Sequence, residues 1–376
     1  MKFGLDVVAV DYWGDQDLKN KIEDLIVVKE KEVKTELDKA ELIVSAAEDA
    51  FKEFSKIDGI LVGSGLDDRP DLWDKLNNLA PVFGNTPTVI KEVRNVLNLF
   101  KGAKKKKISC PFTHLVSTLT EAKRIGKDIN FPLVLKPLGG AGGVNIRIAY
   151  NIDELKSKYL EISQLTKNEQ IYIQEFIEGQ DVSSMVLSTG KESKILSINE
   201  QLIGLKEANS PSSFTYCGNV IPLDTTEEAT QNINESSTKL AQLFELQGIN
   251  GIDFVLKNGT PYLMEINPRF PGTFELVENI IETNLLKLHF DACLGNLPSK
   301  NLSYHKYGAK IVAFSAGNYT LPDLADLKDI YDIPFPGTVA NKGSPICTVQ
   351  IFGKNKKEVM EKALKIINDI NAKCSE

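Results

Sequence analysis

The chain has 376 residues, of which 42% are hydrophobic and 25% are charged. This balance is typical of a folded globular protein and excludes a disordered, collagen-like or coiled-coil chain. The 44 basic and 51 acidic residues give a net charge of −7, which argues against nucleic acid as the main partner. No apolar segment approaches the length of a membrane span, and the run Val7–Val10 is too short for a signal peptide, so we expect a cytoplasmic protein.

Apolar runs at 7–10, 42–44, 60–63 and 82–84 alternate with polar, helix-like stretches. This alternation predicts a parallel α/β lobe, because strands buried on both faces have continuous apolar sequences. A strand followed by a glycine turn usually opens such a lobe, so we expect this one to be shortened at its start. The next apolar pattern predicts one helix over 89–101, with Gly102 as its left-handed C-terminal residue.

The pattern changes to paired strands from residue 131 onward. Asn151, with Glu154 three residues later, predicts the capped start of a helix. We expect strands at 131–136, 144–150, 171–176, 182–188, 194–201, 251–257, 260–266, 309–316 and 346–352, and helices at about 227–246 and 356–370. The five cysteines lack CxxC spacing and the three histidines lie far apart, so reduced thiols are expected and any metal should be held by oxygen.

The glycine-rich loop Gly139-Gly140-Ala141-Gly142-Gly143 exposes backbone N–H groups and suits close approach to phosphates. It lacks the P-loop and dinucleotide patterns, and it joins two strands, whereas those motifs join a strand to a helix. Lys136 ends the apolar strand directly before the loop, where its charge needs a partner such as a phosphate. The alternative is a lysine that reaches solvent from a strand end below an ordinary glycine hairpin.

A second group of polar residues lies on two neighbouring predicted strands. Asp253, Glu265 and Asn267 offer the hard oxygen ligands that Mg²⁺ prefers, and Arg269 could bind a carboxylate or phosphate with both of its terminal nitrogens. The alternative is a structural salt bridge.

The turn at Asn258-Gly259 decides whether Asp253 and Glu265 share a face of the hairpin. A two-residue turn in an unbulged ladder would send them to opposite faces. We therefore predict a three-residue loop that begins at Lys257, with Gly259 at positive φ as a bulge and both carboxylates on one face.

Together with the segment Gln174–Asp181 between them, these two groups resemble, in type and order, the ATP-grasp superfamily of ATP-dependent ligases. The resemblance implies an ATP-grasp fold of α/β and α+β class. It also implies a pre-ATP-grasp α/β lobe at 1–86, an ATP-grasp domain at 87–300 and a small α+β unit at 301–376. The flanking parts are similar to those of the biotin-carboxylase-like branch, and the chain looks most like its archaeal predicted carboligases, neighbours of tyramine–glutamate ligase.

The resemblance also implies a role for each site residue. Lys136 would contact the ATP phosphates under a lid formed by Gly139, Gly140, Ala141, Gly142 and Gly143. Gln174, Glu175 and Ile177 would contact adenine and Asp181 the ribose, while Asp253, Glu265 and Asn267 would bind Mg²⁺ or Mn²⁺ and Arg269 would lie beside the reacting phosphoryl group. The family's first phosphate lysine is absent, and its position holds Arg94 or Val96.

The implied activity is that of an ATP- and Mg²⁺-dependent ligase that activates a carboxylate as an acyl-phosphate and joins it to an amine. The catalytic residues would be Lys136 and Arg269, and a homodimer is one possible assembly. Two alternatives are a carboxylation through carboxyphosphate and a non-catalytic ATP-binding regulatory module. Residues 199–201 and 216–219 are candidates for the acceptor pocket, although ordinary strand residues explain them equally well, and no general base is visible for the second step.

Overall fold

The computed structural model describes residues 4–28, 36–54, 56–299 and 302–375. The N-terminal region contains β1 (Val8–Asp11), α1 (Gln16–Lys19), β2 (Asp24–Val27), α2 (Glu36–Glu53) and α3 (Pro70–Leu79). Strands β1 and β2 pair in parallel, and one isolated parallel bridge joins Ile60 to Val82. The region therefore has the predicted parallel character, with shorter strands than the sequence suggested.

Two of the predicted N-terminal strands are wrong or much reduced. Residues 42–44 lie inside α2, where Ala40 and Val44 are buried four residues apart, a helical spacing. Three strand-favouring residues are outweighed there by the helix-forming residues around them. The runs at 60–63 and 82–84 form only the Ile60–Val82 bridge.

The single helix predicted over 89–101 is two helices, α4 (Pro87–Arg94) and α5 (Val96–Lys105). Asn95 separates them, and its side chain caps α5 by accepting a hydrogen bond from the N–H of Asn98 at 3.0 Å. Gly102 lies inside α5 rather than after it, and a Cβ there would come within 2.9 Å of Phe244. The break places Arg94 at the end of α4.

A four-stranded antiparallel sheet with the order β3-β6-β4-β5 follows. Asn151 caps the second of its two helices through the N–H groups of Asp153 and Glu154, as predicted. Leu133 and Leu135 of β4 pack into the core under these helices, so alternation turns Val134 and Lys136 to the other face. The elements are β3 (Thr113–Val116), α6 (Leu119–Asp128), β4 (Leu133–Pro137), β5 (Arg147–Ala149), α7 (Ile152–Thr166) and β6 (Ile171–Glu175).

The rest of the chain builds an eight-stranded antiparallel sheet with the order β11-β10-β7-β8-β9-β12-β16-β14 and a separate two-stranded sheet of β13 and β15. Its C-terminal strands join it where β12 pairs with β9. The elements are β7 (Gln180–Thr189), β8 (Ser193–Ile203), β9 (Tyr216–Ile221), α8 (Glu227–Leu243), β10 (Gln247–Lys257), β11 (Thr260–Asn267), α9 (Phe274–Ile281), α10 (Leu285–Cys293), β12 (Tyr307–Phe314), β13 (Tyr319–Thr320), β14 (Ile330–Tyr331), β15 (Val339–Ala340), β16 (Pro345–Gly353) and α11 (Lys356–Ser375). Within the described residues, no helix is both long enough and apolar enough to span a membrane.

Asn85 joins the N-terminal region to the large sheet. Its side chain is 2% exposed, and its Nδ2 donates to Asn250 Oδ1 at 2.6 Å and to the carbonyl of Pro268 at 2.9 Å. Its Oδ1 accepts from the N–H of Gln247 at 2.9 Å. All three hydrogen bonds are lost together if the amide is removed.

We predict that Asn85→Ala lowers the free energy of unfolding by about 2 to 3 kcal/mol, because it leaves buried partners unsatisfied. Asn130→Ala, at an exposed position before β4, should change it by less than about 0.5 kcal/mol. Chemical denaturation of both variants measures the difference. Equal stability of the two variants would show that Asn85 does not hold these regions together.

Candidate active site

A cavity of about 930 Å³ is lined by residues from both sheets and from the N-terminal region. Every residue proposed for the site from the sequence lines it: Lys136, Gly139, Gly140, Ala141, Gly142, Gly143, Gln174, Glu175, Ile177, Asp181, Asp253, Glu265, Asn267 and Arg269. Segments far apart in sequence therefore meet at one place.

Lys136 extends from β4 into this cavity. Burial lowers its pKa, while the negative charges of Glu265, Asp181 and Asp253 oppose that effect. No ion pair to its ammonium group is present among the described residues. A half-buried cation near three carboxylates, without a direct partner, is suited to a multiply charged anion such as a triphosphate.

The glycine loop is held at both ends of its span across the cavity. Gly140 donates its N–H to Asp68 Oδ2 at 2.9 Å, and the carbonyl of Gly142 accepts from the N–H of Tyr216 at 3.1 Å. Gly143 has φ of 76°, and a Cβ there would lie 1.8 Å from the carbonyl oxygen of Phe214. Only glycine allows this backbone contact, which brings the loop against the start of β9.

The hairpin of β10 and β11 has a different turn from the predicted one. Asn258 and Gly259 both have positive φ, at 51° and 76°, and Lys257 pairs with Thr260, so the turn has two residues and type I′ character. The predicted three-residue loop is wrong, because Asn258 accepts the left-handed conformation at little cost. The positive φ predicted for Gly259 is confirmed.

A bulge further along the same hairpin places Asp253 and Glu265 on one face, as predicted. Met264 has no partner, so Asp253 pairs with Glu265 and Phe254 with Leu263. The extra residue turns Glu265 to the face that Asp253 occupies. Both carboxylates consequently lie on the cavity side, as predicted, although the bulge is not at the turn.

Asp253, Glu265 and Asn267 form a set of oxygen donors. Asn267 Nδ2 donates to Asp253 Oδ2 at 2.9 Å. Burial and the neighbouring negative charge of Glu265 raise the pKa of Asp253 well above its usual range, because both effects disfavour the charged form of its carboxyl group. Two carboxylates and an amide fit Mg²⁺, which completes its octahedron with phosphate and water oxygens.

The described residues contain no group of three or more His, Cys, Asp or Glu side chains that could hold a metal alone. A metal at the Asp253–Glu265 pair would therefore need ligands from a bound substrate. This agrees with Mg²⁺ that enters together with a nucleotide.

Two arginines flank the set of oxygen donors, and each pairs with an aspartate of the N-terminal region. Arg94 Nη2 lies 2.6 Å from Asp68 Oδ1, and its Nη1 lies 4.0 Å from Glu265 Oε2. Arg269 Nε donates to Asp67 Oδ2 at 3.0 Å. Both Arg94 and Val96 line the cavity, and of these two Arg94 supplies the positive charge.

Sequence reasoning missed Asp67 and Asp68. They follow the apolar run 60–63 after Ser64-Gly65-Leu66, near the carboxyl end of a predicted parallel strand. Ligands of α/β folds bind at such strand ends, so the signal was available. The prediction of this strand did not extend to the loop that follows it.

Gln174, Glu175 and Asp181 line another part of the cavity. Gln174 Nε2 donates to Thr113 Oγ1 at 3.0 Å, and Glu175 Oε2 accepts from the N–H of Phe112 at 3.1 Å. Burial raises the pKa of Asp181 to about 6, and Lys136 opposes this shift. A polar hydroxyl-bearing ligand suits this part, because Asp181 can accept its hydrogen bonds.

A row of polar side chains continues across the floor of the cavity, away from the set of oxygen donors. Ser183 pairs with Asp253 and with Asn199 on its two sides, and Asn219 pairs with Gln201 and with Lys310. All of these residues line the cavity.

One of these polar groups has an oxygen without a hydrogen-bond partner in the described part of the chain, while others are bonded to each other. Asn199 is 1% exposed, and its Oδ1 has no partner among the described residues. The Tyr216 hydroxyl donates to Asn219 Oδ1. By strand alternation Glu200 points away from the floor and pairs with Lys356 at 2.5 Å. The candidate acceptor segments, 199–201 and 216–219, thus contribute alternate residues to a polar compartment beside the set of oxygen donors.

Residues 93–273 match the family model of the ATP-grasp domain, and this part of the chain is an ATP-grasp domain. Over its full length the chain is 27% identical to an uncharacterized protein of Methanocaldococcus jannaschii, and the match covers 88% of that protein. It is 26% identical, over 47% of its length, to the carbamoyl phosphate synthase large chain, C-terminal section, of Aquifex aeolicus, of which it spans only 33%.

The fold is that of solved ATP-grasp structures. The biotin carboxylase of Campylobacter jejuni superposes with a TM-score of 0.76 at 15% identity, covering 98% of this chain and 86% of that one. The predicted fold class and the resemblance to ATP-grasp ligases are therefore confirmed.

We predict that Asp68→Asn loosens the glycine loop. Amide exchange over residues 139–143 should become about tenfold faster without nucleotide, because a charged acceptor of the Gly140 N–H is lost. ATP with Mg²⁺ should slow this exchange in the variant and in the wild type. Hydrogen–deuterium exchange by mass spectrometry measures both effects.

The matched control is Asp71→Asn, which removes a carboxylate 2.7 Å from Arg69 at the surface nearby. Its loop exchange should equal that of the wild type. If Asp68→Asn shows the same exchange as this control, Asp68 does not tether the loop.

Proposed function

We propose that the protein is an ATP- and Mg²⁺-dependent carboxylate–amine ligase, which forms an acyl-phosphate from a substrate carboxylate and transfers the acyl group to an amine. The observation that carries the proposal is the single cavity in which Lys136, Arg94 and Arg269 lie beside an oxygen-donor set and a polar compartment. The biotin carboxylase neighbour is a complex with a β,γ-ATP ligand, and the name carbamoyl phosphate synthase denotes a product that is a mixed anhydride of phosphoric acid.

In the first step a carboxylate oxygen attacks the terminal phosphorus of ATP and ADP leaves. Negative charge develops on the phosphoryl oxygens, and Lys136, Arg94 and Arg269 stabilise it in a half-buried site. Asp253, Glu265 and Asn267 would hold Mg²⁺, which would supply positive charge to neutralise the phosphates. Gln174, Glu175, Ile177 and Asp181 orient the nucleoside.

The polar floor supports a hydrophilic acceptor. Asn199 offers an unsatisfied amide oxygen, and Lys310 lies 3.2 Å from Glu275 Oε2, so both signs of charge are available. A substrate with a polar donor group would supply the hydrogen bond that the buried Asn199 oxygen lacks within the described residues. The same arrangement is unsuited to an apolar acceptor.

Trapping with hydroxylamine tests the reaction class, because hydroxylamine converts an acyl-phosphate into a stable hydroxamate. Purified protein is incubated with ATP, Mg²⁺, hydroxylamine and a panel of protein amino acids, short dicarboxylates and pterin-like acids. We expect at least one carboxylate to give hydroxamate together with equimolar ADP. Bicarbonate-stimulated ADP release without hydroxamate would instead favour a carboxylase, and ATP binding without turnover would favour a regulatory module.

Lys136→Met tests the phosphate contact. Loss of the charge should weaken ATP binding or turnover by roughly tenfold to a hundredfold, because an ion pair to phosphate is removed in a half-buried site. Lys127→Met, at an exposed position of α6, is the control and should retain wild-type values. Titration of MgATP by calorimetry and ADP release measure both. Wild-type affinity and turnover in Lys136→Met would contradict the assignment.

A further inference from the structure

Asp67 carries a buried oxygen without a hydrogen-bond partner. The side chain is 8% exposed and lines the cavity, and its Oδ2 accepts from Arg269 Nε at 3.0 Å. Its Oδ1 has no partner among the described residues. Burying a carboxylate oxygen without a hydrogen-bond donor costs free energy, so this atom is suited to accept a hydrogen bond from a ligand.

The position of Asp67 limits what that donor can be. Arg269, which binds Asp67, follows Asn267 of the oxygen-donor set by two residues. Asp67 therefore lies at the proposed phosphoryl end of the cavity rather than at the proposed adenine end. Phosphate and carboxylate groups have no N–H to donate, and a carboxylate repels them. An amine or ammonium group has both the charge and the hydrogen atoms that Asp67 Oδ1 lacks.

We propose that Asp67 is the residue that binds the acceptor amine and takes its proton in the second step. This inference rests on the proposed ligase function, for which the sequence alone showed no general base. The amine nitrogen attacks the acyl carbon and a C–N bond forms. The acyl C–O bond to phosphate breaks, and the phosphate leaves with its electron pair.

The proton balance of this step requires an acceptor at the nitrogen. An amine that binds as R–NH₃⁺ first loses one proton to water, because only R–NH₂ has the electron pair that attacks. Once the C–N bond forms, the nitrogen is cationic and a second proton must leave to give the amide. Asp67 Oδ1 takes this proton and passes it to the released phosphate or to water, so the carboxylate is regenerated. A carboxylate is a sufficient base here, because the nitrogen it serves is already cationic.

The neighbouring Asp68 does not compete for this role. Its Oδ1 accepts from Arg94 Nε at 2.8 Å and its Oδ2 from the N–H of Gly140 at 2.9 Å, so both of its oxygens have partners. Of these two adjacent carboxylates, only Asp67 has an oxygen free for a ligand.

The test compares two nucleophiles with the carboxylate that gives the most hydroxamate in the panel above. Hydroxylamine is a weak base, so its nitrogen loses a proton readily to water once the C–N bond has formed, whereas methylamine is a strong base and its nitrogen depends on a proton acceptor in the site. For Asp67→Asn, which keeps an oxygen for Arg269, we expect the ratio of methylamide to hydroxamate formation to fall by about 100-fold or more. Asp71→Asn should keep the wild-type ratio.

A second variant tests the proton transfer itself. Asp67→Ala removes the carboxylate and leaves space beside Arg269, and added formate should restore methylamide formation at least severalfold without a similar effect on hydroxamate. Acetamide of the same concentration, which is not a base, should not restore it.

Each other outcome counts against the proposal in a distinguishable way. If Asp67→Asn keeps the wild-type ratio, or loses both products equally, Asp67 does not act on the amine and the proposal is wrong while the ligase function stands. If the wild type forms no hydroxamate with any carboxylate of the panel, the ligase function fails, and the role of Asp67 fails with it.

Discussion

The direction in which two carboxylates point depends on one unpaired residue. Without the bulge at Met264, the two-residue turn at Asn258-Gly259 would place Asp253 opposite Met264 and would turn Glu265 to the far face of the sheet. With the bulge, both carboxylates lie on the cavity side, where the burial of Asp253 and the charge of Glu265 raise the pKa of Asp253. Lys136, Arg94 and Arg269 are the positive groups that lie near these two negative charges. The bulge is therefore the backbone feature on which the electrostatics of the site depend.

The cavity balances its charges through pairs that a phosphate-bearing ligand would alter. Lys136 has carboxylates near it but no ion pair among the described residues, while Arg94 and Arg269 each have an aspartate partner. A ligand with several negative charges can bind Lys136 without breaking a contact, but it competes with Asp68 for Arg94. Asp68 also accepts from the N–H of Gly140, so the contact that such a ligand would alter belongs to the carboxylate that tethers the glycine loop. Binding and loop movement are thus coupled through one carboxylate.

The sequence predicted residues of the cavity where chemically reactive residue types occur within a recognisable local pattern. The glycine loop, Lys136 and the Asp253–Asn267 group have residue types that few strands carry, and all of them line the cavity. Backbone details were less accessible, because a turn type and a bulge in the same hairpin can compensate for each other, as at Gly259 and Met264. The strand predicted at 42–44 failed because helix propensity around a short apolar run outweighs the run itself. The position of Asp67 and Asp68 after a predicted strand was a usable signal, whereas their pairing with Arg269 and Arg94, which are distant in sequence, is visible only in the fold.

The N-terminal region contributes few strands but supplies both aspartates, so the site depends on how firmly this region is attached. Next to Asn85, His289 bridges the same junction, since its Nδ1 accepts from the N–H of Ile249 at 3.0 Å and its Nε2 bonds to the carbonyl of Phe83 at 3.1 Å. This needs a neutral imidazole with one donor and one acceptor, and burial lowers the pKa of His289 to about 4. Asp67 and Asp68 are adjacent in the chain, so a shift of their loop would disturb the pairs with Arg269 and Arg94 at the same time. The buried hydrogen bonds at Asn85 and His289 thereby hold the two aspartates within reach of their arginine partners.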